Sequence, residues 1–155
     1  MEGGFSCGAP NGYCRVIYAN GNYYEGNFIN GKLTGQGIFE GANGGTYVGE
    51  WKDFNKHGKG TERTTEGIYA GDFINNKRNG QGKLTYNDGT IYSGLFVEGV
   101  AEGIGSYIGI PPVKYTGMWS NGKKQGKGEL ILEDHNVYEG EFVNDLMHGH
   151  GVLVM

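Results

Sequence analysis

The chain has 155 residues, enough for a single domain, and a formal net charge of −4 at pH 7. This acidic balance disfavours nucleic acid as a partner, because the phosphate backbone demands a basic surface. With 32 glycines but only 3 prolines, and with aromatic residues at 13%, the composition is not that of a disordered linker.

Two features of the sequence indicate a protein of the reducing cytoplasm. No apolar run is long enough to span a bilayer, and the N-terminus lacks the basic and then apolar order of a secretory signal. Cys7 and Cys14 are the only cysteines, too few for a disulfide framework or a thiolate metal site. A bridge between them under oxidising conditions stays open as an alternative.

The first 23 residues form a degenerate copy of the stretch that follows them. A shift by 23 positions places Gly3 on Gly26, while Met1 stands at a tyrosine position and Cys14 at a glycine position. Atypical units are expected at the ends of a stacked array, where stacking stops. Residues 1–23 are therefore predicted to be the first repeat.

From residue 24 onward, one motif recurs six times. It reads Tyr-x-Gly-x-(Phe/Trp), followed by Gly-x-Gly nine residues after the first glycine, and successive tyrosines are 23, 22, 23, 23 and 23 residues apart. A fixed period of this kind predicts units that bury their apolar faces against their neighbours. We place the repeats of one array near residues 1–23, 24–46, 47–68, 69–91, 92–114, 115–137 and 138–155.

Side-chain alternation within each repeat predicts two strands. Tyr47, Gly49 and Trp51 share one face of the first strand, and the residues after Gly-x-Gly alternate in the same way. Pairs such as Asn30-Gly31 and Asp88-Gly89 predict hairpin turns, since both central residues tolerate positive φ. We therefore predict an all-β protein: an elongated, twisted, single-layer antiparallel meander of hairpins, two strands per repeat, without a globular core.

Glycines beside aromatic residues are expected to leave gaps that cross-strand rings cover. Two irregularities interrupt the pattern. The second repeat is one residue short between Thr61 and Ile68, which predicts a bulge or a tighter turn. Residues 110–113, Ile-Pro-Pro-Val, replace an Asn-Gly type of turn and predict a stiff bend.

The aromatic face is the first candidate for a binding site. Its rings either pack against the second strands and hold the sheet together, or line a groove for a peptide, a helix or a second chain. Both roles can hold together, with some rings structural and others touching the partner. The candidate protein-binding residues are Tyr24, Phe28, Tyr47, Trp51, Tyr69, Phe73, Tyr92, Phe96, Tyr115, Trp119, Tyr138 and Phe142.

A basic edge is the second candidate. Six cations are predicted to lie in the loops within repeats, which share one edge of a meander; they are Lys32, Lys56, Lys77, Arg78, Lys123 and Lys124. Such an edge could bind anionic lipid, at about 1 kcal/mol per lysine near a membrane surface. Solvated turn lysines are the alternative.

No arrangement of residues predicts catalysis. The Gly-x-Gly pairs lack the phosphate-loop context and are explained by the repeat. No nucleophile stands next to a base, and His148 with His150 makes at most a weak metal chelate. We expect a non-enzymatic protein without a cofactor.

The last strand is apolar on both faces and is predicted to lie at an open sheet edge, at residues 152–155. An edge of this kind invites pairing. We expect a second copy of the chain, or another partner, to cover it.

The repeated Tyr-x-Gly-x-(Trp/Phe) and Gly-x-Gly motifs resemble the MORN repeat over nearly the whole chain. The resemblance implies a scaffold in a cytoskeletal, ciliary or membrane-linked assembly, and residues 144–151 are similar to repeats of the radial-spoke group. It leaves a second possibility, the regulatory MORN region of an enzyme. Residues 8–16 resemble the region that precedes the SET domain of a histone lysine methyltransferase, and plant phosphatidylinositol phosphate kinases also carry such arrays.

Overall fold

The computed structural model of the protein describes residues 2–6, 8–111 and 113–155, with side chains from residue 8 onward. The chain divides into two compact units, Met1–Lys77 and Arg78–Met155. All regular elements in the described residues are β-strands, and no helix occurs among them. The prediction of an all-β fold is confirmed.

The first unit is an antiparallel meander in which each strand pairs with the next along the chain. Its described strands are β1 (Glu2–Ser6), β2 (Ala9–Ile17), β3 (Tyr23–Ile29), β4 (Lys32–Glu40), β5 (Thr46–Lys52), β6 (Asn55–Arg63) and β7 (Gly67–Ile74). Two strands per repeat follow from the sequence pattern, as predicted.

The second unit repeats this arrangement from the second residue of β8 onward. Its described strands are β8 (Lys77–Tyr86), β9 (Ile91–Val97), β10 (Val100–Ile108), β11 (Lys114–Ser120), β12 (Lys123–Ile131), β13 (Val137–Val143) and β14 (Leu146–Val154). The motif tyrosine is the second or third residue of the odd-numbered strands from β3 on, and Gly-x-Gly lies in the even-numbered strands from β4 on.

The two faces of the sheet differ as the alternation predicts. In β5, Tyr47, Gly49 and Trp51 are buried, whereas Val48 and Lys52 are exposed. In β7, β9, β11 and β13 the motif tyrosine and its aromatic partner are likewise buried, and the residues between them are half-buried or exposed. We call the face that carries the motif rings the aromatic face and the other one the opposite face.

The turns inside repeats are two residues long and have positive φ at both positions. Asn30 and Gly31 have φ values of 49° and 80°, and Asn121 and Gly122 have values of 51° and 74°. A turn of this type matches the twist of the strands it joins. The sequence prediction for these turns is confirmed.

Each of these turns also donates a backbone hydrogen bond to the repeat before it. The acceptor is always the carbonyl two residues before the first glycine of the preceding Gly-x-Gly, or its equivalent in the first repeat. The bonds are 2.8 to 3.1 Å long and join Gly31 to Pro10, Phe54 to Leu33, Asn76 to Lys56, Gly99 to Arg78, Gly122 to Ala101 and Asp145 to Lys124.

The turns between repeats have a different geometry from the predicted one. In the turn that contains Asn20 and Gly21, only Gly21 has positive φ, at 87°, and the Tyr18 N–H donates to the Asn22 carbonyl at 2.9 Å. The longer loop needs a single residue in the left-handed region. The expectation of two such residues is therefore correct only inside repeats.

The short second repeat is accommodated by a tighter turn, as predicted. The Thr64 N–H donates to the Gly67 carbonyl at 2.9 Å, one residue closer in sequence than in the other turns between repeats. Pairing of β6 with β7 runs without a shift of register from Gly58 to Arg63. The missing residue thus leaves the strands unchanged.

The first glycine of Gly-x-Gly has a role that the sequence analysis did not anticipate. Between the pairs Gly49–Gly60 and Trp51–Lys56, β6 has three residues where β5 has one. Gly58 lies in this irregularity with φ of 60°. A bulge with positive φ favours glycine, so this position is fixed by backbone geometry rather than by ring packing.

Three sequence predictions fall partly outside the described residues. Met1, Cys7 and Pro112 are not among those residues, so the tyrosine-like position and the disulfide stay predictions. Cys14 is buried. The expected bend keeps a hairpin closure from the Gly109 N–H to the Val113 carbonyl at 2.9 Å, and the Ile110–Pro111 peptide bond is cis.

Candidate functional site

The motif rings of each unit form a chain of edge-to-face contacts, which we call the aromatic ladder. Tyr47 contacts Trp51 of its own repeat at 4.9 Å between ring centroids and Phe73 of the next repeat at 5.1 Å. Tyr115 contacts Trp119 and Phe142 at 5.4 and 5.0 Å. Pairs of this kind contribute about 0.5 to 1.5 kcal/mol each beyond the area they bury.

Glycines make room for the ladder. A Cβ atom added at Gly60 or at Gly128 would overlap the ring of Tyr47 or Tyr115, respectively. The hydroxyl of Tyr47 donates to the Glu50 carbonyl at 2.9 Å, and that of Tyr115 donates to the Met118 carbonyl at 2.9 Å. The ring therefore lies along its own strand and covers the second glycine of Gly-x-Gly on the next one.

Burial assigns most of the twelve motif rings to the packing of the sheet itself. Eleven of them are 0 to 8% exposed, and Tyr24 is half-buried. The isolated chain therefore offers little of these rings to a partner. Their role in binding stays a prediction, and their packing role is visible in the ladder.

A second layer of side chains lies over the ladder and reaches the surface. The residue two positions after Gly-x-Gly pairs with the motif tyrosine of its own repeat, as Phe39 pairs with Tyr24 and Leu130 with Tyr115. We use the name covering layer for the half-buried residues at two positions of the repeat. One position is two residues after Gly-x-Gly, and the other is two residues before it. Those discussed below are Phe39, Lys56, Glu62, Tyr107, Lys124 and Leu130.

The sequence analysis did not single out Phe39, Glu62 and Tyr107 as site residues. The signal was nonetheless present, because strand alternation places the residue two positions after Gly-x-Gly on the aromatic face. These side chains are more accessible than the motif rings, so they form the surface that a partner would meet on this face.

Two of the predicted edge cations lie on the aromatic face instead. Lys56 and Lys124 are the second residues of β6 and β12 and pair with Trp51 and Trp119. The Lys56 ammonium is 5.4 Å from the Tyr47 ring centroid. The turns are only two residues long, so these lysines belong to strands and alternation turns them towards the rings. The expectation of a loop position was wrong for both.

The remaining predicted cations also lie in strands. Lys32, Lys77 and Lys123 are the first residues of β4, β8 and β12 and are exposed, whereas Arg78 is half-buried as the second residue of β8. Lys32 Nζ lies 4.0 Å from the Asp53 carboxylate, with both side chains 59% exposed. An exposed pair of this kind contributes little to stability. Burial thus divides the six cations into exposed first residues and half-buried second residues of their strands, and a shared basic edge stays a prediction.

Two clefts open beside the covering layer, one in each unit. The first has a volume of about 590 Å³ and is lined by Phe39, Lys56, Glu62 and the turn between the first and second full repeats. The second has a volume of about 410 Å³ and is lined by Tyr86, Tyr107, Trp119 and Lys124, among others.

The opposite face also differs between the units. In the first unit, Lys59 Nζ lies 2.8 Å from the Asp72 carboxylate, and its backbone N–H donates to Glu50 at 3.1 Å. The pKa of Lys59 is raised by its hydrogen bond to Asp72. In the second unit Lys127 and Glu141 are register partners at the equivalent positions, and the preceding repeat carries Ile104, 70% exposed, opposite Met118, 42% exposed.

Within the described residues, β14 lies at the end of the strand order and pairs with β13 alone. Leu146, Val152, Leu153 and Val154 on β14 are 53 to 71% exposed. Both faces of this strand are thus apolar and accessible, as the sequence indicates. Pairing with a second copy stays a prediction.

Neither a membrane span nor a metal centre is evident in the described part of the chain. No helix with the length and hydropathy to cross a bilayer occurs in residues 2–6, 8–111 and 113–155. Over the same residues, no group of three or more His, Cys, Asp or Glu side chains has an arrangement that could hold a metal ion.

Comparison with known proteins gives one family. The model of the MORN repeat matches seven segments of the chain, at residues 2–23, 24–46, 47–67, 69–91, 92–110, 115–137 and 138–154. The degenerate first repeat is among the matches. These segments agree with the predicted repeats to within a few residues at their ends.

One similar protein is the inactive protein tyrosine kinase pTKL of Plasmodium berghei (strain Anka). It is 44% identical over 43 residues, which are 28% of this chain and 3% of that protein. The chain therefore spans a small part of this relative's length, and the similarity concerns about two repeats.

Proposed function

Because this chain belongs to the MORN repeat family, we propose that it is a non-catalytic scaffold that binds a peptide or helix of a partner protein along its aromatic face. MORN repeats are in general modules that interact with proteins or membranes. The proposal narrows this general role to one face of the sheet and to one class of partner.

The observation that carries the proposal is the second cleft. It combines the half-buried rings of Tyr86 and Tyr107 with Trp119 below them and with a lysine at its side. Binding sites typically join aromatic surface to a few polar groups that fix orientation. Tyrosine and tryptophan are also common where most of the binding free energy is concentrated.

The twelve rings of the ladder have a supporting role in this proposal. They set the spacing of the covering layer, and Tyr24 is the motif ring most available for direct contact. A partner segment that lies across the strands of one unit would then meet a covering side chain about every 10 Å, twice the distance between neighbouring strands, because the covering residues lie on the even-numbered strands.

A selection with displayed random linear peptides on the full chain tests the proposal. Peptides enriched on the protein should bind Tyr107→Ala at least about tenfold more weakly, because an aromatic contact in the cleft is lost. Thr116→Ala is the matched control, since Thr116 is exposed on the opposite face of the neighbouring strand. Failure to enrich any peptide, or equal losses for both variants, would contradict the proposal.

Anionic lipid is the second candidate ligand, favoured by the exposed Lys32, Lys77 and Lys123 at the starts of their strands. Flotation with vesicles of phosphatidylcholine and phosphatidylserine tests it. Binding that disappears when the three lysines are replaced by methionine supports lipid attachment. Binding absent even at low salt, where screening is weakest, rejects it.

The assembly in which the scaffold works is proposed on family resemblance. It is cytoskeletal, ciliary or membrane-linked and lies in the cytoplasm, and imaging of the tagged chain tests this assignment. The alternative is a regulatory segment of an enzyme, of the SET-domain methyltransferase or phosphatidylinositol phosphate kinase type.

A homodimer through β14 is the final part of the proposal. The exposed apolar residues of β14 and its unpaired edge favour addition of a strand from a second copy. Sedimentation of wild type and of Val152→Lys distinguishes the states, because a charge at this exposed position should yield monomers. A wild-type monomer at high concentration would contradict the homodimer.

A further inference from the structure

The same lysine position occurs in both units with the same backbone environment. Lys56 and Lys124 both lie two residues before Gly-x-Gly, and each pairs with the tryptophan of its repeat. The Lys56 N–H donates to Asn76 Oδ1 and the Lys124 N–H to Asp145 Oδ1, both at 2.8 Å. Differences between the two ammonium groups therefore come from their side-chain neighbours.

In the first unit the ammonium has a counterion of its own chain. Lys56 Nζ forms an ion pair with the Glu62 carboxylate above the ring of Tyr47. The two side chains are only 20% and 13% exposed. Glu62 is the covering residue two positions after Gly-x-Gly, directly opposite the motif tyrosine.

In the second unit the equivalent of Glu62 is Leu130, so this counterion is absent. Lys124 Nζ lies over two rings instead, 5.6 Å from the Tyr107 centroid and 5.3 Å from the Tyr115 centroid. Among residues 8–111 and 113–155, no carboxylate forms an ion pair with it. The ammonium is half-buried and lines the second cleft.

Two other charged side chains, Asp88 and Asp145, line this cleft, and each carboxylate accepts hydrogen bonds from the chain itself. The Asp88 carboxylate accepts from the N–H and the hydroxyl of Thr90, each at 2.8 Å, and these bonds lower the pKa of Asp88. The Asp145 carboxylate accepts from the Lys124 N–H. The ammonium group of Lys124 is thus the one charged group of the cleft without a hydrogen-bonded partner in the described chain.

From this we propose that the second cleft takes an aspartate or glutamate side chain of the partner peptide, whose carboxylate binds Lys124 as Glu62 binds Lys56. The inference rests on the proposed function and adds the chemistry of one anchor residue. A partly desolvated cation between rings gains most from a carboxylate, because the ion pair is less screened there than at an exposed surface.

The test uses the full chain and the display selection of random linear peptides described above. We expect the enriched peptides to share an acidic residue at one position. Replacing that residue by its amide in a synthetic peptide, or Lys124 by methionine in the protein, should weaken binding at least about tenfold, and the two changes together should add little more.

Matched variants separate the anchor from general effects. Lys124→Arg keeps the charge and should retain most of the affinity, and Lys127→Met, at an exposed position on the opposite face of the same strand, should have no effect. Leu130→Glu supplies an internal counterion in the geometry of Glu62 and should weaken binding at least about tenfold while Lys124 is still present. Circular dichroism confirms that each variant is folded.

The outcomes distinguish this inference from the proposed function. If no peptide is enriched, both fail. If peptides are enriched and depend on Tyr107 but share no acidic residue, or bind Lys124→Met as well as wild type, the proposed function stands and the anchor is rejected. If phosphatidylserine vesicles bind in a Lys124-dependent way while acidic peptides do not, the occupant is a lipid head group and the proposal is likewise rejected.

Discussion

The two units share the ladder and differ in what covers it. Tyr47 and Tyr115 make the same contacts with glycine, with the aromatic residue of their repeat and with that of the next repeat. Above them, the first unit carries an internal ion pair between Lys56 and Glu62, and the second carries Lys124 over rings. The motif positions therefore specify the fold, and the variable positions between them specify what each unit can bind.

The opposite face also varies in its side chains while the fold is kept. Lys59 and Asp72 of the first unit correspond to Lys127 and Glu141 of the second, but the β10–β11 pair of the second unit carries Ile104 and Met118 at the same positions of the motif. Exchange of charged for apolar side chains leaves the strand register intact. Each face of a single-layer sheet can thus change its chemistry independently of the other.

The largest expected change in stability comes from two substitutions that test whether the ladder is equivalent in the two units. Gly60→Ala and Gly128→Ala each place a methyl group into a tyrosine ring, and each should lower the free energy of unfolding by about 3 kcal/mol. Urea unfolding followed by circular dichroism measures the change.

The controls for this prediction are Gly44→Ala and Gly99→Ala. An added Cβ meets nothing within 4 Å at either position, and only the positive φ is strained, so a loss of about 1 kcal/mol is expected. A loss at Gly60 no greater than at Gly44 would mean that the ring does not require the glycine.

The next effect tests the difference in the covering layer. Lys56→Met leaves the largely buried Glu62 carboxylate without its cation and should cost about 1 to 2 kcal/mol. Lys124→Met removes a charge that takes part in no ion pair within the described residues, so its stability should stay within about 0.5 kcal/mol of wild type. Equal losses for the two variants, measured by urea unfolding, would contradict the contrast between the units.

A smaller difference is expected between the two tryptophans. The Trp119 indole N–H donates to the Gly105 carbonyl at 3.2 Å, whereas the Trp51 indole N–H is buried and has no hydrogen-bond acceptor in the described residues. Trp119→Phe should therefore cost about 1 kcal/mol more than Trp51→Phe. Each variant leaves one tryptophan in the chain, so fluorescence during unfolding then reports on one unit at a time.

The smallest effect is expected from a change of pH between about 7 and 9, and it should be the same in both units. Burial raises the pKa of Tyr92 to about 12 and also raises that of Tyr47 and Tyr115. The unfolded chain releases these protons near pH 10, before the folded chain does, so the unfolded state binds fewer protons above that pH. The contribution of these tyrosines to the free energy of unfolding is fully present below about pH 10 and is lost as the pH rises towards 12.

Urea midpoints at about pH 7, 9, 10 and 11 measure this dependence, with tyrosinate absorbance as a parallel signal. If the urea midpoint begins to fall well below pH 9, while the tyrosines are still protonated, groups other than these tyrosines cause the loss of stability. A fall in one tryptophan signal before the other would show that the ladders of the two units differ.

Much of the fold follows from the sequence because the repeat imposes it. The period of 23 residues, the alternation around Gly49 and the Asn-Gly turns predict strands, faces and hairpins correctly. The bulge at Gly58 was missed, since a glycine beside a ring and a glycine with positive φ look identical in a sequence.

The candidate site was less predictable than the fold. Burial of a ring depends on what lies above it, and the covering residues such as Tyr107 are outside the motif. The faces of Lys56 and Lys124 depend on whether the preceding turn has two residues or more. A difference of one residue there reverses the direction of the side chain.

The hydrogen bond from each turn to the repeat before it has an evolutionary consequence. Donor and acceptor are both backbone atoms, so the contact survives any change of side chain that keeps the turn conformation. Gain or loss of a complete repeat by unequal recombination would reconnect an identical donor to an identical acceptor. Evolution could therefore change the number of repeats one complete repeat at a time, while the exposed residues of each repeat diverge to bind new partners.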